Sequence, residues 1–87
     1  MLDKNTKTRV RRVGKATIID LLGHITERGQ PAIESAYAEA LGSEPERVFF
    51  NFTETEYIST FGIAVLIALV MAAEREGRKI GLTLLTK

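Results

Sequence analysis

The residues best suited to chemistry lie in one short stretch, Glu54-Thr55-Glu56-Tyr57-Ile58-Ser59-Thr60-Phe61-Gly62. Two adjacent hydroxyls, Ser59 and Thr60, precede an apolar run and sit where a helix N-cap is expected. At a helix start the backbone N–H groups are unpaired and the local potential is positive, so a hydroxyl or a phosphate is well received there. Two chemistries fit this pair: a cap that only stabilises the helix, or a phosphate acceptor. A third, nucleophilic transfer from Thr60, lacks an adjacent general base in the sequence. Glu54 and Glu56 alternate along a loop without a partner base, and read as solvated carboxylates. Tyr57 and Phe61 read as packing residues around the helix start.

Other catalytic classes fall away on counts alone. The 87 residues contain no cysteine and one histidine, His24, which excludes thiol chemistry and disulfides and leaves any His-based metal site a single imidazole. Neither a G-x-G-x-x-G nor a Walker pattern occurs. No metal and no cofactor is expected, and the chain is read as a non-enzyme. Twelve Lys and Arg against eleven Asp and Glu give a net charge of +1, too small for a nucleic-acid-binding surface. That total is a cancellation. Lys4, Lys7, Arg9, Arg11, Arg12 and Lys15 crowd the start against Asp3, whereas the glutamates from 34 to 56 face only Arg47. Cations of this kind guard an exposed strand edge.

The elements that must position the Ser59-Thr60 pair can be read from periodicity. Residues 7–13 form a polar strand with Val10 turned inward, Gly14-Lys15 a tight turn, and 16–22 an apolar strand, making an antiparallel hairpin that Gly23 ends. Residues 23–31 form a loop. Ile33, Ala36, Tyr37, Ala40 and Leu41 then recur on one helical face, with Pro31 in the first turn, Gly42 at the end and Pro45 blocking continuation. Residues 47–53 are apolar on both faces apart from Asn51, which predicts a central strand covered on both sides. Residues 54–58 are a loop. A long helix follows to about Glu76, stopped by Gly77, and a last strand carries Ile80, Leu82 and Leu84 on one face. Residues 61–73 are too short to span a bilayer, which takes about 20 apolar residues. They predict a helix buried on most sides, and no membrane association. Lacking cysteine and an export signal, the chain is expected to be cytoplasmic.

The order β-β-α-β-α-β predicts one α/β domain over residues 1–87, with a mixed, largely parallel four-stranded sheet and right-handed crossovers. Residues 1–6 are expected to be flexible.

With the elements in place, the residues resemble the STAS domain family, named for sulphate transporters and anti-sigma-factor antagonists. The resemblance covers residues 9–85. It is carried by Ile18-Ile19-Asp20-Leu21-Leu22-Gly23 with Ile25-Thr26, by Val48-Phe49-Phe50-Asn51-Phe52, and by Tyr57-Ile58-Ser59-Thr60-Phe61-Gly62-Ile63. In the family the first strand commonly ends Asp-Leu-x-Gly, and the junction commonly reads aromatic-Ile-Asp-Ser-Ser-Gly-Leu. Here Ser59 stands for the aspartate, Thr60 for the first serine and Phe61 for the second, while Gly62 is kept.

The resemblance implies a regulatory module that binds an anti-sigma factor or serine kinase in partner-switching control of transcription. Thr60 would be the phosphate acceptor and Ser59 the alternative. His24, Ile25, Thr26, Glu56, Tyr57, Ile58, Ser59, Thr60, Phe61 and Gly62 would form the contact region. The altered junction leaves open a scaffold that self-associates without phosphorylation. Relatives continue past the last strand into another helix, so the chain is expected to be a truncated form whose 80–85 region is covered by another copy.

Overall fold

In the computed structural model, which describes residues 5–83, the sheet is built on a hairpin. Strand β1 (Lys7–Val13) pairs antiparallel with β2 (Ala16–Ile25) through the Gly14-Lys15 turn, where Gly14 takes φ +61°. A 3-10 turn (Glu27–Gly29) leads into α1 (Gln30–Leu41). Strand β3 (Arg47–Asn51) runs parallel to β2, and β5 (Lys79–Thr83) parallel to β3, giving the order β1-β2-β3-β5. Helix α2 (Thr60–Arg75) precedes β5. The cationic strand β1 is an edge, as its composition implies.

Among the described residues the sheet has five strands, one more than the four expected. Residues 54–58, read as a loop, contain β4 (Thr55–Ile58), which pairs parallel with the far end of β2. The reason lies at Gly23, which was expected to end β2. Gly23 adopts φ +83°, the register shifts between Gly23 and His24, and the strand continues to Ile25. A glycine absorbs such an irregularity without the steric cost other residues meet. The extra three residues offer β4 an edge to join.

Both helices lie on one face of the sheet. Ile33, Ala36 and Ala40 of α1 and Leu66 of α2 meet Ile19, Leu21, Val48 and Phe50 in one core, with Val10 packed at its margin. The α1 face predicted from periodicity is the one observed. The expectation that β3 is covered on both sides is corrected. Strand β3 is interior, but Phe49 on its second face is only half-buried and lies over Gly81, where an added Cβ would meet its ring at 2.7 Å. That second face is closed instead by polar side chains. Asp20, 1% exposed, accepts from Arg9 Nε (2.9 Å), Arg11 Nε (2.8 Å) and Asn51 Nδ2 (2.8 Å).

Helix α2 differs most from expectation. Gly62, Leu66 and Ala73 form its buried stripe, but Phe61, Ile63, Ile67 and Met71 are exposed, Phe61 to 67% and Met71 to 53%. With two helices on one side of a small sheet, a helix has only one neighbour to pack on, and its outer face stays open. Thr6, expected in a flexible arm, is held by its hydroxyl donating to the His24 carbonyl at 2.7 Å. In the last strand Ile80 packs at the core margin, and Leu84 and Leu85 lie outside the described residues.

Candidate functional site

The stretch 57–62 is positioned by the extended end of β2. The Ser59 N–H donates to the Ile25 carbonyl at 2.8 Å, and the Thr55 hydroxyl donates to the Leu21 carbonyl at 2.6 Å. Ser59, in extended conformation (φ −81°, ψ 167°), caps α2: its Oγ accepts from the Gly62 N–H at 3.0 Å. Of the two hydroxyls, Ser59 is therefore the cap, and Thr60 is the first helical residue, exposed to solvent. The alternatives read from the sequence thus fall on different residues. Ser59→Ala should lower stability by about 1 kcal/mol, seen as a Tm decrease of about 4–8 °C, whereas Thr60→Ala should leave Tm nearly unchanged.

Around this cap the expected contact residues divide into two groups. Ile25 is fully buried, Gly62 is buried against it and Ile58 packs at the core margin, so these three hold the junction rather than present it. Glu56, Tyr57, Thr60 and Phe61 are exposed. His24 and Tyr57 stand together with ring centroids 5.6 Å apart and planes tilted by 58°. They line a shallow groove with Thr26, Arg28 and Ser59. The Thr26 hydroxyl accepts from the Arg28 N–H at 3.3 Å and starts the 3-10 turn. Glu54 is held by Arg9, whose Nη2 donates to it at 3.0 Å. Among the described residues, no three His, Asp or Glu side chains gather as metal ligands.

Asp20, Arg9, Arg11 and Asn51 were not singled out as a set from the sequence. Burial alone would raise the Asp20 carboxyl, but hydrogen bonds from Arg11, Asn51 and Arg9 outweigh it and lower its pKa to about 2. Arg9 reaches both Asp20 and Glu54, so the network ties the edge strand to the residues just before β4. A signal existed. A two-residue turn at Gly14-Lys15 sets Arg9 opposite Asp20, the register observed.

Fold and junction together define a small α/β module that displays a helix start at the carboxyl end of its parallel strands and an exposed apolar face along that helix. The chain belongs to the family "Mlab, STAS domain", whose model matches residues 8–87. No curated protein matches the sequence. Among solved structures, the chain is similar to Mglu, with a TM-score of 0.74 and 22% identity over 85% of this chain but 18% of that one. It is also similar to an anti-sigma factor antagonist from Mycobacterium paratuberculosis, with a TM-score of 0.72 and 20% identity over 94% of this chain and 68% of that one. A third likeness is to the anti-sigma factor antagonist SpoIIAA in its unphosphorylated form, with a TM-score of 0.67 and 14% identity over 87% and 71%. These likenesses establish the fold. The chain thus spans less than a fifth of Mglu and over two thirds of the two antagonists. Among the described residues, no helix is long and apolar enough to cross a membrane.

Proposed function

We propose that the chain is a non-catalytic regulatory module that docks an anti-sigma factor or serine kinase on the junction and the outer face of α2. Thr60 serves as its phosphate acceptor. The observation that carries this reading is the exposed apolar surface formed by Tyr57, Phe61, Ile63, Ile67 and Met71, with Thr60 in its first turn. No Asp, Glu, Lys or Arg occurs from 57 to 73, so this surface has no charge to desolvate on docking. Contiguous exposed apolar side chains on a small soluble domain mark an interaction surface. Phosphate on Thr60 would be stabilised by the helix N-terminus and would add about −1.5 to −2 charge to that surface. Docking would then carry a desolvation cost, which makes phosphorylation an off-switch. The likeness to two anti-sigma factor antagonists supports the choice of partner.

Photo-crosslinking from position 67 in the producing cell, with mass spectrometry of the captured chain, tests the reading. The expected product is an anti-sigma factor or serine kinase, lost when Ile67→Glu is introduced elsewhere on the face of a chain crosslinked from position 71. Incubation with the captured kinase and ATP should phosphorylate wild type and not Thr60→Ala. Capture of second copies alone would favour a self-associating scaffold. A Thr60→Ala chain that is still phosphorylated would remove Thr60 from its role.

A further inference from the structure

Strand alternation sends Lys7, Arg9, Arg11, Arg47 and Lys79 to the face of the sheet opposite the helices, together with Ile18, Asp20 and Phe49. Among the described residues that β1, β2, β3 and β5 place there, Asp20 is the single carboxylate, and Arg9 and Arg11 already share it. Among the described residues, Lys7, Arg47 and Lys79 have no ion pair. Arg47 and Lys79 are moreover register partners on adjacent strands, and like charges so placed repel each other. Arg11, Ile18, Phe49 and Gly81 form one row across the sheet, with Arg47 and Lys79 in the next, so cations flank a partly buried apolar pair, Ile18 and Phe49. The outer face of α1 has the opposite charge. Because Ile33, Ala36 and Ala40 turn to the core, Pro31, Ser35 and Ala38 make an exposed row of compact side chains, with Glu34 on one side of it and Glu39 on the other. No Lys or Arg occurs from 29 to 46, and among the described residues neither glutamate has an ion pair.

We infer that the cationic sheet face receives the outer face of α1 from a second copy of this chain. The row Pro31, Ser35 and Ala38 would lie over Ile18 and Phe49, and the two glutamates would straddle it onto the flanking cations. The dimensions agree: β1 and β5 stand three strand spacings apart, about 14 Å, and a helix with its side chains is about 10–12 Å across. A carboxylate arriving beside Arg47 and Lys79 relieves a repulsion that the single chain leaves standing. The two surfaces lie on opposite sides of the sheet, so one chain cannot join its own pair; they meet only between copies, head to tail. This contact uses neither the junction nor the outer face of α2, and does not stand on the docking proposed there.

Sedimentation velocity of the chain over a concentration series tests it. Wild type should self-associate with a Kd of about 1 mM or tighter in low salt. Raising salt from about 10 mM to about 1 M, which shortens the screening length from about 30 Å to about 3 Å, should abolish the association. Arg47→Glu/Lys79→Glu and Glu34→Lys/Glu39→Lys should each weaken it at least about tenfold, because each sets like charges against like. An equimolar mixture of these two variants should associate again, since α1 of the first and the sheet face of the second are both unaltered. That recovery also shows that both variants fold. Ile67→Glu, on the face of α2, should associate as wild type does. The inference is overturned if wild type stays monomeric at about 1 mM, if either charge reversal leaves association intact, if the mixture fails to recover it, or if Ile67→Glu abolishes it. A monomeric wild type that instead binds hexaglutamate or oligothymidylate would give the face to a foreign acidic segment or to single-stranded nucleic acid, and overturns it too.

Discussion

Replacing Gly62 with alanine should lower the unfolding free energy by about 3 kcal/mol, the upper end of what overpacking costs in a core. The reason is how closely α2 starts against β2. A Cβ at Gly62 would stand 2.5 Å from the Ile25 carbonyl oxygen and 3.0 Å from its carbon. These are backbone atoms, so no rotamer change relieves the clash. The same carbonyl accepts the Ser59 N–H, and the Gly62 N–H donates to the Ser59 hydroxyl. Moving the helix away would therefore strain both bonds that set the junction and withdraw Leu66 from the core. A loss of this size in a domain this small lowers Tm by about 12–24 °C. Gly77→Ala is the informative control: an added Cβ there meets open space, and only its φ of +77° opposes the change. That backbone strain costs about 1–2 kcal/mol. Urea unfolding of both variants decides the matter, and a Gly62→Ala loss no larger than that of Gly77→Ala would refute the close-approach argument.

Removing the Asp20 carboxylate is the second large effect. Asp20→Ala should cost about 2–3 kcal/mol, below the range for a fully buried ion pair because Arg9 and Arg11 remain about half exposed and can rehydrate. Asn51 loses the acceptor of its amide as well, while its own oxygen still accepts from Thr53. The same carboxylate makes an acid limb in the stability of the wild type. Its pKa is lowered to about 2 in the folded chain, from an ordinary value of 3.8. A depressed carboxylate stabilises the fold above its unfolded pKa, and that contribution disappears as pH falls toward the folded value. Wild-type stability should therefore drop by about 2 kcal/mol between pH 4 and pH 2 from this group. Asp20→Asn should lack that component, although other carboxylates still titrate. Urea unfolding at a series of pH values measures both curves, and parallel acid limbs would show that the Arg9–Asp20–Arg11 network does not hold the carboxylate down. The exposed Arg9–Glu54 pair adds little to the difference.

These two effects bracket how far the sequence reaches. The hairpin register, the buried face of α1 and the start of α2 at the Ser59-Thr60 pair all rest on contacts within a few residues of chain, so spacing alone reveals them. Arg9 opposite Asp20 belongs to the same class, because a two-residue turn dictates every pair of its hairpin. The continuation of β2 past Gly23 does not belong to it. A glycine that ends a strand and a glycine that lets it bend have the same letter, and only the arrival of β4, thirty residues later, distinguishes them. The bare face of α2 lies between the two cases. Fourteen helical residues without a charge, 60–73, mark an unusual helix, but whether that surplus apolar surface meets a core or solvent depends on how many elements are available to cover it.

Local chemistry, then, was enough to determine the element order apart from β4, the cationic edge and the helix start carrying Ser59 and Thr60. The tertiary structure decided which hydroxyl is spent on capping and which faces solvent, because the Ile25 carbonyl fixes where the helix begins. It also decided that the glycine of the junction is a packing requirement, and that Arg9 and Arg11 cover a buried carboxylate as well as guarding an edge. The cap and the packing of Gly62 depend on parallel pairing between distant segments. Parallel register comes from the packing of crossover helices on the sheet, and no spacing within a single segment records it.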